Sequence, residues 1–179
     1  MKITLIRQDN GNGKETLSVC ETNALFEKIK TETKSGHITA LRNIIPMQEG
    51  TYGKYEHIDK LPYIYSAVEY TRTKEGERKM KQYNGLVQLE VGRLANPSEM
   101  EYVKQQAALL PQTFAAFCGS SGRSVKIWVR FALPDDRGLP TKESEAELFH
   151  VHAYRLAVKC YQPMFPFAIN LKEPVLTQK

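Results

Sequence analysis

The chain has 179 residues, 41% of them hydrophobic and 25% charged, with a formal net charge of +5. That balance excludes disordered and collagen-like chains, and the length suits one domain that buries roughly 70% of its unfolded surface. The opening Met1–Arg7 segment is too short in apolar residues for a signal peptide, and no run reaches the ~18 apolar residues of a membrane span, so a cytoplasmic protein with no membrane partner is expected.

The chain opens as a hairpin. Ile3 and Leu5 alternate on one arm, Thr16–Val19 forms the other, and Asp9-Asn10-Gly11-Asn12-Gly13 is the turn. Thr22 or Asn23 then caps a helix carrying Leu25, Phe26 and Ile29, which Ser35-Gly36 ends; a short helical piece over 38–45 stops before Pro46. Residues 47–60 read as loop. Leu61–Tyr70 reads as one strand by its β-branched and aromatic content. A charged connector, Arg72–Gln82, leads to Gly85–Val91, whose near-continuous apolar run marks a strand buried on both faces.

Asn96, Pro97 and Glu99 make the clearest helix start, with a cap, a first-turn proline and a capping-box acid. Met100, Val103, Ala107 and Leu110 form its apolar stripe, and Pro111 ends it. Thr113–Cys118 and Val125–Ala132 are strands joined by the turn Gly119-Ser120-Ser121-Gly122. After the loop 134–140, Thr141 caps a long helix with Phe149, Ala153, Leu156, Ala157 and Cys160 as its stripe. A last strand falls near Phe167–Leu171. The order from Leu61 onward, β-β-α-β-β-α-β, is that of an α+β fold: a mixed or antiparallel sheet with helices on one face, preceded by the N-terminal hairpin and helix. Cys20, Cys118 and Cys160 are too far apart for a CxxC site and odd in number, so they are expected as reduced, mostly buried thiols.

Two segments carry a resemblance. One is Asn84-Gly85-Leu86-Val87-Gln88-Leu89-Glu90-Val91-Gly92, and the other is Cys118-Gly119-Ser120-Ser121-Gly122-Arg123-Ser124-Val125-Lys126-Ile127. With the Leu61–Ser66 strand and His150, they resemble the VirE N-terminal domain family of bacterial mobile elements, in the archaeo-eukaryotic primase-like superfamily. The resemblance spans about residues 60–171, within a single domain over 1–179. It implies an RRM-like primase fold and an active site in which three acids hold divalent metal beside nucleotide phosphates. Here those positions are Glu90, Gly92 and about Asn170, one carboxylate out of three. Two-metal chemistry needs several converging oxygens, so the active site is degenerate and polymerase activity is not expected. Mg²⁺ would enter only with residual nucleotidyltransferase activity, for which Glu90 is the sole candidate ligand and catalytic residue. The Arg-containing segment that continues the family and ends in a Tyr-Asp-Pro-like motif is not found. The chain therefore reads as part of a longer protein or as a shortened member, and leaves room for a helicase or replication partner domain.

The expected ligand is single-stranded DNA or RNA, or a nucleotide phosphate. The turn offers Ser120, Ser121, Gly122 and Arg123, with Lys126 just beyond, as backbone amides, hydroxyls and cations for an anion. The connector offers Arg72, Lys74, Arg78, Lys79 and Lys81, with Glu75 and Glu77 interleaved and Tyr83 as a stacking candidate. The competing readings are a plain hairpin turn, a solvated charged face and a sheet tyrosine. His150 and His152 point to different sides of a helix and cannot chelate together, and His37 and His57 have no sequence partner. No Walker A, GxSxG or HExxH motif is present. Three functions follow: an inactive primase-like nucleic-acid module, a residual nucleotidyltransferase, or a protein-interaction module.

Overall fold

The computed structural model describes residues 1–8, 15–31, 36–44, 61–134 and 137–178. The fold is α+β, and among the described residues it has three small antiparallel sheets and four α-helices. β1 (Lys2–Gln8) pairs with β2 (Glu15–Glu21) on one edge and with β3 (Tyr63–Tyr65) on the other. β4 (Val68–Arg72) and β5 (Arg78–Tyr83) form a hairpin. In the third sheet β8 (Val125–Arg130) lies between β6 (Leu86–Val91) and β7 (Thr113–Cys118). The helices are α1 (Thr22–Lys30), α2 (Gly36–Ile44), α3 (Pro97–Ala108) and α4 (Glu143–Tyr161).

Both faces of the third sheet are covered, which is why β6 is apolar almost throughout. Val87, Leu89, Val91, Val125, Ile127 and Val129 pack on α3 through Val103 and Ala107, and on α4 through Ala153, Tyr154, Ala157 and Tyr161. On the other face Leu86 and Trp128 meet Ile3 and Leu25, with Phe26 packed against them. The fully buried Trp128 donates its indole N–H to Gln88 Oε1 at 2.9 Å and lies edge-on to Phe117.

The α3 start forms as its sequence dictates. Asn96 Oδ1 accepts the Glu99 N–H at 3.0 Å, and Glu99 Oε2 accepts the Ala95 N–H at 2.6 Å. Elsewhere the structure departs from the sequence reading. Leu61–Tyr70 is broken at Ser66-Ala67 because the chain leaves β1 there to pair with β5; Thr4 Oγ1 bridges the gap, donating to Val68 O and accepting from Tyr70 N–H. The connector is the β4–β5 hairpin, closed by Thr73 N–H to Glu77 O and Gly76 N–H to Thr73 O. The last strand reduces to one bridge, Val91 to Ile169.

Neither Thr22 nor Asn23 caps α1, which starts after Glu21 with no side-chain cap, and Gly36 opens α2 instead of closing α1. Thr141 does not cap α4, which starts after Lys142. The buried face of α4 is Ala146, His150, Ala153, Tyr154, Ala157 and Tyr161, while Leu156 and Cys160 are exposed. The stripe is turned because buried His150 pairs with buried Tyr83, and a polar residue carries no weight in an apolar pattern. Cys20 and Cys118 are half-buried, not mostly buried. The 9–13 turn, Ser35, 45–60 with Pro46 and His57, and Asp135-Asp136 lie outside the described residues, as does the side chain of His37.

Candidate phosphate-binding cleft and carboxylate site

Antiparallel register places Glu90 on β6 opposite Lys126 on β8. Along the free edge of β6 the C-terminal segment returns: Val91 bridges Ile169, and the Asn170 N–H donates to Glu90 O at 2.8 Å. That return carries Lys172 to the carboxylate, Nζ standing 2.7 Å from Glu90 Oε2. Gly92, two residues on, faces Asn170 so closely that a Cβ there would collide with the Asn170 amide. Positions 90, 92 and 170 thus stand together.

The electrostatics are those of an internal ion cluster. Burial alone would push the Glu90 carboxyl up, but the Lys126 charge, Lys172 and a Ser124 hydrogen bond overcome it and hold it below the usual range. Burial weakens the Lys126 ammonium; Glu90 counters this and Lys172 adds to it. A divalent ion does not fit here. The one carboxylate already serves an ammonium, Asn170 is a neutral amide, and among the described residues no group of three His, Cys, Asp or Glu could hold a metal.

At the same end of the sheet the β7–β8 turn borders a cleft of about 500 Å³, lined by Arg42, Asn96, Met100, Cys118, Ser121, Gly122 and Arg123 among others. The turn satisfies part of itself: Gly119 N–H donates to Ser124 O, Gly122 N–H to Gly119 O, and Arg123 N–H to Ser121 Oγ. Those three amides are committed within the turn itself. Gly122 takes a left-handed φ of 68°, and the Arg42 side chain lies against it, 3.2 Å from where a Cβ would stand. Ser120 is exposed beside the cleft, and Lys126 lies beyond it with Glu90.

The basic connector belongs to another sheet, and part of it is engaged in the fold. Arg72 donates to Gly76 O at 2.7 Å and to Glu15 O at 2.6 Å, and Lys81 pairs with Glu69 at 2.7 Å. Lys74, Arg78 and Lys79 are exposed. Tyr83 is 1% exposed, its hydroxyl 3.1 Å from His150 Nδ1, so it presents no ring face to a base.

Three cations here escaped the sequence reading. Arg42 comes from α2, Lys172 from the C-terminal return, and Arg93 is the only non-glycine residue with positive φ among those described, at 60°. Arg93 is exposed, and the next amide, Leu94 N–H, donates to Arg123 O at 3.1 Å, tying the two arginine backbones together.

The fold and this site define an α+β domain with a cationic cleft at one end of an antiparallel sheet. The chain belongs to the BT4734-like, N-terminal domain family, whose profile matches residues 56–179. No curated protein and no solved structure matches it. Among the described residues no helix is long and apolar enough to cross a membrane.

Proposed function

We propose that this domain is a primase-like nucleic-acid-binding module without polymerase chemistry, working within a mobile-element replication or mobilisation protein. The observation that carries the reading is the cleft of about 500 Å³ with Arg42 and Arg123 in its lining and Arg93 beside it. Guanidinium groups grip phosphate through paired N–H donors, and a cleft of this size admits a nucleotide. The state of Glu90 supports the silent part of the proposal, since its carboxylate is spent on Lys172. The VirE-like segments supply the replication context.

The test is a salt titration of a labelled single-stranded oligonucleotide against wild type and the Arg93→Glu, Arg123→Glu double variant. Each phosphate contact contributes about 0.7 to the slope of log affinity on log salt. Losing two should flatten the slope by about 1.4. Equal slopes, or no wild-type binding at low salt, would sink the reading and leave the protein-interaction module in its place.

A further inference from the structure

The outer side of α4 carries a pattern that the fold itself does not use. Helical spacing puts Glu145, Leu148, His152, Arg155, Leu156 and Lys159 on one side, away from the face that Ala146, His150 and Ala157 bury, and all six are exposed. Leu148 is 67% and Leu156 50% exposed. A lone surface leucine needs no explanation, but these two stand four residues before and four after His152. Glu145 and Lys159 stand seven before and seven after. Acids in the first turn and a base in the last suit the helix dipole, and Glu145 has Lys142 Nζ at 3.1 Å on its own helix. The dipole gives no reason for mid-helix leucines placed evenly about one residue. On the Arg155 side the face runs into a groove of about 300 Å³ against the C-terminal return, where Leu171 is 75% exposed.

We propose that this face of α4 docks a second copy of the chain, the two α4 helices packing antiparallel about a two-fold axis at His152. A two-fold contact requires a surface complementary to itself, with each pairing made twice. Turning α4 end for end about His152 meets that condition. Leu148 faces Leu156 of the second copy, Glu145 faces its Lys159, and symmetry repeats both pairings. Charge complementarity fixes the direction, since a parallel pair would set Glu145 on Glu145 and Lys159 on Lys159. The second copy's Leu148 arrives on the Arg155 side, where Leu171 and the groove add apolar surface. One helix pair makes a small contact, so the dimer is weak and reversible. The surface shares no residue with the lining of the cationic cleft, and the inference does not rest on the nucleic-acid reading.

Sedimentation equilibrium of the whole chain, at concentrations up to about 1 mM to reach weak association, should show a reversible monomer–dimer equilibrium. Glu145→Lys and Lys159→Glu each set like charges opposite one another at two symmetric places, and each should weaken the dimer about three- to tenfold. The double swap, Glu145→Lys with Lys159→Glu, should restore it to within about twofold, because two exposed attractive pairs are rebuilt. Better helix stability cannot produce that recovery, since the double swap opposes the helix dipole. His152→Cys, in a Cys160→Ser background, places two thiols at the axis and should form a disulfide-linked dimer with oxidised glutathione. Adding Leu156→Glu to that variant should abolish the cross-link. All these positions are exposed, and circular dichroism checks that each variant folds. A wild type that stays monomeric throughout overturns the proposal. So does a dimer that the single swaps leave unchanged, that the double swap fails to restore, or that does not cross-link at position 152.

Discussion

Gly92 and Asn170 are packed face to face, with no room for a Cβ on the glycine unless the amide moves. Because the obstacle is the far end of an exposed side chain, Gly92→Ala should cost under about 1 kcal/mol as Asn170 swings into solvent. Gly85 is the contrast. It has φ 66° and its Cβ would meet the backbone carbonyl of Phe131, whose own N–H donates to Gly85 O. Gly85→Ala should cost about 2–4 kcal/mol, since backbone in the sheet cannot yield. Urea unfolding of both variants checks the ordering, and equal losses would refute it.

Templated nucleotide incorporation should be absent with Mg²⁺ or Mn²⁺. Gly92 and Asn170 supply no carboxylate, and Glu90 is ion-paired at 2.7 Å. Primer extension above background that disappears in Glu90→Ala would show the site to be active.

Acid should weaken the fold through His150. Burial pushes its pKa down to about 4, against 6.5 for the free side chain, so the unfolded chain takes up the proton more readily. The stability that neutral His150 provides is complete above about pH 6.5 and declines as pH falls toward about 4, by about 3 kcal/mol in all. Unfolding measured at intervals from pH 7 to pH 4 should show this slope in wild type and a shallower one in His150→Asn. Parallel profiles would remove His150 as the cause.

Two polar anchors should matter for stability. Asn96→Ala removes the α3 cap and should cost about 1 kcal/mol. Arg72→Ala frees the carbonyls of Gly76 and Glu15 and should cost a similar amount, about 1 kcal/mol, while leaving the oligonucleotide salt slope unchanged. A flatter slope in Arg72→Ala would put the β4–β5 hairpin on the path of the strand.

What the sequence determined by itself lies where neighbours in the chain are neighbours in space. The α3 start at Asn96-Pro97, the buried strand Leu86–Val91, and the pair Thr113–Cys118 and Val125–Arg130 around a glycine turn all follow from local caps, turns and periodicity. The glycine turn was legible as a candidate for the same reason, and Glu90 only through the resemblance carried by the Asn84–Gly92 segment. Tertiary structure alone decided which cations join them. Lys172 reaches Glu90 only because Val91 bridges Ile169, and Arg42 borders the cleft only because Gly122 leaves room for its side chain. It also turned α4 so that His150 faces Tyr83, and committed Arg72 and Lys81 to the fold. The physical reason is common to all of these. A charge or imidazole becomes a site or an anchor through the group it meets, and those partners lie far away along the chain, where spacing carries no signal.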